Sequence, residues 1–576
     1  MPPGNPPLSP LRHRWDIWLL LVAICLVGNY YYVSYFGMYE DDFLYTLPAF
    51  HWTWAECWAQ IRTDLIVWPD GRVVSCVFND LITWFSAQGS SLELGYALGA
   101  AMLVTNTLLC YRLARTWFPP LGAYAAAAVY CLNPADTAKV ILMHRSQLLL
   151  GSMFLLTALL AYRVKRPWIA YLAAALSLLT YESFFFPFLA APLLLLSRKE
   201  FSWRCLLRHG AACAVILGIV IAIRANMGEP RVIESLDTIP VLAGMISHAM
   251  IIGPQTCLQT LILRPLDALR YSGPSQCGLI IGLVVVSMAV FSTGMRTGQS
   301  GTDQRVRLES FLLFIPGCLL LLALCYAVTV HRAYYPPVVT IGRLSGFNAT
   351  AAIPLGLLVG AIVTLLAGRA VLTRAVVAAL GLFLGALVSA GLQIQRVEYV
   401  TNWQQQRNYW GELLSASGEW APGVAVLVQF DSGGGLPATA GFPPFWMVNY
   451  SPLVGQWLVD APGLTSSEID RDPRVFGFNP TFKATPLPGG LRLQTPPSMD
   501  PAMWPVIREG NFLYYNFADG HLARKTGQVN IGGRLLTPKT LPATPVPPLP
   551  RNFLYYLLFG PPQKWPTIAG ARNYPP

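Results

Sequence analysis

The stretch WDIWLLLVAICLVGNYYYVSYFGMYEDD, residues 15–42, decides the fold of this chain. Its apolar part, residues 15–37, is long enough to cross a bilayer, which takes about 20 residues as a helix. The run ends on three carboxylates, Glu40, Asp41 and Asp42. A charge at the bilayer centre costs roughly 2.5–3.5 kcal/mol, so we expect this acidic cluster at the membrane surface or in a wet cavity.

Similar apolar runs recur along the chain, which has 576 residues, of which 54% are hydrophobic and 12% charged. This composition is typical of a polytopic α-helical membrane protein. We predict about eleven transmembrane helices, near residues 15–37, 93–114, 119–134, 146–162, 168–181, 183–197, 209–225, 276–294, 309–330, 349–367 and 374–393. The stretch 168–196 can also be read as one long helix, but the charge pattern of the later loops favours two short ones that meet at Glu182.

Basic residues set the predicted orientation. A net charge of +11 would suggest nucleic acid in a soluble protein, but here the Lys and Arg side chains lie in short loops between apolar runs. Such loops stay in the cytoplasm. We therefore exclude nucleic acid as a partner and predict a multi-pass protein of the cytoplasmic (inner) membrane with a cytoplasmic N-terminus.

The composition changes after residue 393, because 25 of the 47 prolines follow it and no later run is long enough to span a bilayer. We predict a transmembrane domain, residues 1–393, and a C-terminal soluble domain, residues 394–576, on the periplasmic side. Apolar residues at helical spacing after residue 394, a buried strand at 423–430 and a hairpin within 511–531 predict an α/β or α+β domain.

The first outer loop, residues 36–92, is long, rich in Trp and contains an amphipathic stretch from Arg72 to Phe85. In this respect the chain resembles the GT-C superfamily of membrane glycosyltransferases, in which an acidic pair follows the first helix. The resemblance implies a GT-C fold and transfer of a sugar from a polyprenyl phosphate carrier to a glycan, lipid or protein acceptor outside the membrane.

A second segment extends the resemblance. Asn133-Pro134, Asp136 and Arg145 before a Leu-rich run look like the second outer loop and fourth helix of the protein O-mannosyltransferase-like branch. Glu182 is similar to the acid of that branch's Lys-Glu segment, with Tyr181 in place of the basic residue. The similarity covers about residues 15–200, with a weaker echo at Gly342-Arg343.

The chemistry of sugar transfer assigns roles to these residues. A carboxylate accepts the proton of the attacking hydroxyl; the candidates are Asp41 and Asp42, with Glu40 beside them, and the second or acceptor-side acids are Asp136 and Glu182. Fixed cations stabilise the departing phosphate; the candidates are Arg145, Arg332, Arg343, Lys139, His144 and His331. No cofactor is required by this chemistry, although adjacent carboxylates can hold Mg²⁺ or Mn²⁺.

Other readings stay open from the residues alone. The acidic cluster can be a solvated helix boundary, Asp136 can cap a turn, and Glu182 can be a hydrogen-bonded structural residue. Alternative functions are an O-antigen polymerase or ligase that uses Arg264 and Arg270 in an outer loop at 225–275, and a transporter or flippase of lipid-linked glycans. The sequence does not determine the sugar, the acceptor or the oligomeric state.

Overall fold

A computed structural model describes most of the chain: residues 15–39, 42, 52–68, 71–87, 92–195, 201–227, 242–297, 308–330, 337, 340, 342–367, 373–416, 425–430, 475–478, 484–493, 506–518 and 521–539. The helices in this part are α1 (Trp15–Tyr30), α2 (Trp54–Val67), α3 (Val73–Ala87), α4 (Glu93–Ala114), α5 (Pro120–Leu132), α6 (Leu142–Arg163), α7 (Pro167–Thr180), α8 (Glu182–Leu194), α9 (Trp203–Asn226), α10 (Leu242–Arg270), α11 (Pro274–Thr297), α12 (Leu308–Leu324), α13 (Ala352–Ala367), α14 (Thr373–Ile394) and α15 (Asn402–Ala416).

Each of the eleven predicted apolar runs coincides with a helix. Six described helical segments are long and apolar enough to cross a membrane: Trp15–Tyr35, Glu93–Ala114, Leu142–Arg163, Trp203–Asn226, Pro274–Phe291 and Thr373–Trp410. The chain therefore has the helices of a multi-pass membrane protein, while the number of eleven crossings stays a prediction. The remaining apolar helices of the described part have 10–17 residues.

The predicted break near Glu182 is confirmed. Helix α7 ends at Thr180, Tyr181 adopts an extended conformation with φ −162° and ψ 121°, and Glu182 begins a 3₁₀ turn that leads into the rest of α8. The prediction of an outer loop across residues 225–275 is wrong for Leu242–Arg270, which forms the 29-residue helix α10. Two prolines, Pro254 and Pro265, and several polar side chains interrupt its apolar pattern and hid it from the reading of the sequence.

Small residues bring the central helices into backbone contact. All residues from Gly122 to Leu132 in α5 are buried. A Cβ atom on Gly356 of α13 would lie 2.4 Å from the carbonyl oxygen of Ala126, and one on Gly391 of α14 would lie 2.2 Å from that of Gly28 in α1. Helices in a bilayer associate through such close packing because lipid supplies no hydrophobic drive between them.

The last long helix joins the two parts of the protein. Residues Thr373–Trp410 form one continuous helical segment of 38 residues, with a π-helical turn at Gln395–Thr401. The predicted domain boundary at residues 393 and 394 falls inside this segment. The helix therefore continues past the predicted boundary, as far as Ala416.

The C-terminal part contains β1 (Ala425–Phe430), β2 (Val475–Phe478), β3 (Ala484–Leu487), β4 (Gly490–Leu493), β5 (Val506–Arg508), β6 (Phe512–Ala518), β7 (His521–Lys525), β8 (Val529–Ile531) and β9 (Arg534–Leu536). The main sheet has the order β2-β1-β6-β7, with β1 parallel to β2 and β6. The predicted strand at 423–430 and the predicted hairpin are confirmed as β1 and as β6 with β7. The two residues predicted for the hairpin turn, 519 and 520, lie outside the described residues.

Candidate functional site

Asp42 connects the segment that follows α1 to the start of α6. Its side chain is fully buried. One carboxylate oxygen accepts the backbone N–H of Met143 at 2.7 Å and the other accepts that of Tyr39 at 3.1 Å. Because the first N–H groups of a helix have no partner within the helix, and because the helix dipole favours a negative charge there, Asp42 acts as a cap for α6 from a distant part of the chain.

A network of tyrosines holds the segment that leads to this acid. The Tyr39 hydroxyl donates to the carbonyl of Tyr399 at 3.0 Å and accepts the N–H of Gly37 at 3.1 Å. The Tyr96 hydroxyl donates to the Gly37 carbonyl at 2.6 Å. A Cβ on Gly37 would lie 1.8 Å from the ring of Trp403, so only glycine fits. The segment that leads from α1 to Asp42 is thus fixed against the π-helical turn that follows α14.

Arg145 lies inside the protein. Its guanidinium is 1% exposed, donates to the Gly95 carbonyl at 2.6 Å and reaches the Thr83 hydroxyl at 3.5 Å. A Cβ on Gly95 would approach the guanidinium to 2.8 Å. The predicted phosphate-binding arginine therefore joins α3, α4 and α6, within electrostatic range of Asp42. Its neighbour His144 is also buried.

Asp136 and Lys139 belong to the connection between α5 and α6. Asp136 accepts the Ala138 N–H at 3.0 Å, while the Lys139 ammonium donates to the carbonyls of Cys131 and Asn133, both at 3.1 Å, and so caps the end of α5. Burial raises the pKa of Asp136 to about 6, against the attraction of Lys139. Two cavities of about 10 Å³, each about the size of one water molecule, border both side chains.

Glu182 lies between two arginines. One carboxylate oxygen accepts from Arg72 Nε at 3.1 Å and Nη2 at 3.0 Å, and the other accepts from Arg224 Nη2 at 2.8 Å. The three side chains are only 8–10% exposed. The Arg72 guanidinium also stacks 4.3 Å above the ring of Tyr181. This cluster, which we call the arginine pair, joins the loop of residues 36–92, the break between α7 and α8, and the end of α9.

The helix that begins beside Arg72 turns its polar face inward. In α3 the buried residues are mostly polar, namely Ser75, Asn79, Asp80, Thr83 and Ser86, whereas Leu81 and Phe85 are exposed. A helix in water shows the opposite pattern. The prediction of an amphipathic helix is confirmed, and its orientation is that of a helix with apolar residues towards lipid and polar residues towards the protein interior.

Unpaired polar atoms lie close to the arginine pair. Ser75 follows Arg72 by about one helical turn and Ser183 follows Glu182 directly. The hydroxyls of both are buried and have no hydrogen-bond partner among the residues that the structure describes. Buried polar groups are normally satisfied by protein or by bound water, so such atoms beside two guanidinium groups indicate a place for a polar ligand or water.

Two carboxyl groups meet between α2 and α3. Asp64 and Asp80 are 4% and 7% exposed, and Gln60 donates to Asp64 at 2.8 Å. Burial, followed by the repulsion of Asp64, raises the pKa of Asp80 to about 8. Asp80 is therefore mostly protonated at neutral pH.

Arg264 occupies a different position from the one predicted for it. It donates to the carbonyls of Pro134 at 2.9 Å and Thr340 at 3.0 Å, and it pairs with the buried Glu398 of the π-helical turn. Arg270 is exposed and pairs with Asp267 at 3.3 Å. Arg264 thus holds α10 against α14 and the loop of Asp136.

The structure describes the other predicted site residues only in part. Glu40, Asp41, His331 and Arg332 lie outside the described residues, and Arg343 is described only by its backbone, in the 3₁₀ turn Arg343–Asn348. Within the described chain no group of three or more His, Cys, Asp and Glu side chains is arranged to hold a metal ion.

Sequence reasoning missed Arg72 and Arg224 as functional candidates. Arg224 lies in the last turn of an otherwise apolar helix, and an ionisable residue within a membrane segment is by default a candidate for function. That signal was in the sequence.

No family model, curated protein or solved structure matches the chain.

Proposed function

We propose that this protein is a membrane glycosyltransferase that moves a sugar from a polyprenyl phosphate carrier to a glycan, lipid or protein acceptor at the outer face of the cytoplasmic membrane. The observation that carries the proposal is the arginine pair, Arg72 and Arg224 around Glu182. It supports a site for the phosphate of the carrier, in a protein whose long apolar helices suit a lipid substrate.

The chemistry of the leaving group explains the two arginines. When the bond between sugar and phosphate breaks, the phosphate gains negative charge, and fixed guanidinium groups stabilise it. Glu182 accepts from both guanidinium groups and fixes the orientation of both side chains, so two arginines are held side by side where a phosphate can bind. Burying three ionised groups is costly unless they are paired, and here both arginines pair with the same carboxylate.

The acids near the first helix take separate roles in this proposal. Both oxygens of Asp42 accept backbone N–H groups, so Asp42 acts as a positioning residue for the first outer loop. Asp41, its neighbour in the sequence, is the proposed base that accepts the proton of the attacking hydroxyl. Asp136 is the second acid, and its raised pKa suits a group that exchanges protons near neutral pH.

In this proposal the C-terminal sheet binds the acceptor. Glu412 of α15 accepts the backbone N–H of Leu522 in β7, and the turn that contacts Tyr39 precedes α15 in the same helical segment, which supports a position of the sheet near residues 36–92. We assign the choice of acceptor to this domain, and the sugar transfer itself to the helical part.

A transfer assay tests the proposal. The purified protein, reconstituted in vesicles with cell-envelope acceptor, is supplied with polyprenyl phosphate glucose, mannose or galactose labelled in the sugar, and transfer is followed over time. We expect transfer with one of these donors, a loss of about 100-fold or more for Asp41→Asn and for Arg224→Gln, and normal rates for the control Gly218→Ala, whose Cβ meets nothing within 4 Å.

The outcomes separate this proposal from its alternatives. Full transfer by both Asp41→Asn and Arg224→Gln would remove the mechanism. Loss of transfer in Arg264→Gln with normal rates in those two variants would favour a polymerase or ligase. Movement of the lipid across sealed vesicles without acceptor and without sugar release would favour a flippase.

A further inference from the structure

A cavity with a basic rim lies at the end of the bundle opposite to Asp42. Helix α6 begins beside Asp42 and runs 22 residues to Arg163. At 1.5 Å per residue this is about 33 Å, close to the hydrocarbon thickness of a bilayer. There, where α6 ends and both α7 and α9 begin, a cavity of about 590 Å³ opens.

The rim of this cavity is basic. Lys165, Arg204 and Arg208 line it, and none of the other described residues along its wall is acidic. Lys165 has a left-handed backbone, with φ 58°, in the tight turn between α6 and α7. Helices α7 and α9 both point their N-termini towards the cavity through Pro167 and Ser202. The dipoles of these helices add to the attraction for an anion.

The floor of the cavity consists of aromatic side chains that hydrogen bonds hold in place. His209 is 2% exposed; one ring nitrogen lies 3.0 Å from the Phe188 carbonyl and the other 3.0 Å from the Tyr171 hydroxyl. The carbonyl must accept, so in the neutral ring the Tyr171 hydroxyl donates to the second nitrogen. Tyr162 packs edge-on against His209, with ring centres 5.1 Å apart. This floor keeps the cavity open between the helices.

Exposed apolar side chains neighbour the residues of the cavity in the sequence. Leu172 and Leu207, neighbours of Tyr171 and Arg208 in the sequence, are 54% and 70% exposed, and Trp168 and Trp203 are 70% and 73% exposed. Exposed tryptophans of this kind are typical of the boundary between lipid and water. A ligand in the cavity would therefore meet cations at one end and lipid-facing carbon at the other.

We propose that this cavity binds the phosphate headgroup of an anionic phospholipid, with the acyl chains lying along the exposed leucines. Its volume suits a headgroup with its glycerol and exceeds what a lone phosphate needs. Basic loops that serve only to orient a protein require positive charge on that side but no shared cavity. The proposal is independent of the sugar-transfer function.

Lipid binding to the purified protein tests it. The protein in detergent is titrated with phosphatidylglycerol, with phosphatidylcholine and with soluble glycerol phosphate, and bound lipid is counted by native mass spectrometry. The variants are Arg204→Gln with Arg208→Gln and, as a control that removes a charge from the same end without lining the cavity, Arg166→Gln. Membrane orientation is checked for each variant with a reporter fusion.

We expect the wild type to retain phosphatidylglycerol and to bind it at least 10-fold more tightly than phosphatidylcholine. The double variant should lose that preference, whereas Arg166→Gln should keep it within about 2-fold. The proposal is overturned if the wild type shows no preference, if Arg166→Gln weakens binding as much as the double variant, or if glycerol phosphate displaces the lipid at equal concentration.

Discussion

At the scale of single residues, one carboxylate connects the first outer segment to the helix that carries Arg145. Asp42 accepts two backbone N–H groups, one from the turn that contains it and one from Met143 at the start of α6. A buried donor that loses its acceptor costs about 1–3 kcal/mol. The stability of this junction therefore depends on both carboxylate oxygens.

We expect Asp42→Asn to lower the free energy of unfolding by about 1–3 kcal/mol, because the amide places an NH₂ group against a backbone N–H. Unfolding in detergent, followed by denaturant titration, measures the change. The control is Asp267→Asn, an exposed acid whose partner Arg270 is also exposed. Equal stability of the two variants would contradict the capping role.

Asp136 makes stability depend on pH. Its pKa rises from 3.8 to about 6 through burial, so its contribution to stability is fully present below about pH 4 and is lost as the pH rises through about 6. Asp136→Asn should therefore gain stability relative to the wild type between these values and hold that gain above them. Thermal unfolding at a series of pH values checks this; a difference independent of pH would refute it.

Particular residues show how far the sequence could predict the site. The acidic cluster after the first apolar run and the break at Glu182 followed from charge against an apolar background, whereas the full burial of Asp42 did not. The pairing of Glu182 with Arg72 and Arg224 did not, because these residues are separated by more than 100 and by 42 positions in the chain and meet only through packing. Arg145 was predicted to bind phosphate, but its buried guanidinium donates to the Gly95 carbonyl inside the protein.

At the scale of elements, glycines control how closely α5 and α13 approach. Gly356, Gly360 and Gly122 each bring a backbone or hydroxyl oxygen within 3 Å of where a Cβ would lie. Periodicity predicted both helices, but not this contact, since an apolar run looks the same whether it faces lipid or another helix. Helix α10 is the opposite case. Its apolar pattern is interrupted at Pro254 and Pro265, so the sequence did not predict a helix, yet the folded protein forms one.

We expect Gly356→Ala to destabilise the protein by about 1–3 kcal/mol through overpacking against the Ala126 carbonyl. In contrast, Gly218→Ala in α9, where a Cβ meets nothing within 4 Å, should be neutral or stabilising, since alanine is the better helix former. Thermal unfolding in detergent compares the two. If both variants unfold alike, the close approach of α5 and α13 is wrong.

At the scale of the whole molecule, one helical segment of 38 residues leads out of the bundle and continues into α15. Near its end Glu412 accepts the backbone N–H of Leu522 at 2.7 Å and lies 2.9 Å from the His521 ring nitrogen. The composition predicted a separate domain after residue 393, but it could not show that the last helix continues past this position or that its turn at Gln395–Thr401 contacts Tyr39.

Removing this contact should loosen the sheet without affecting the bundle. We expect Glu412→Ala to increase the rate of limited proteolysis after residue 416 by several-fold, because β7 loses its attachment to α15, while thermal unfolding of the helical part stays unchanged. Glu509→Ala, at an exposed turn of the same domain, is the control. A rate equal to that control would show that the sheet is held by other contacts.

The central claim is that Arg72 and Arg224 form a phosphate site for a lipid-linked donor, and binding of polyprenyl phosphate compared with the same polyprenol without phosphate tests it most directly. We predict that the wild type binds the phosphate form at least 10-fold more tightly and that Arg72→Gln and Arg224→Gln each abolish this difference. Equal binding of the two lipids by the wild type would contradict the account.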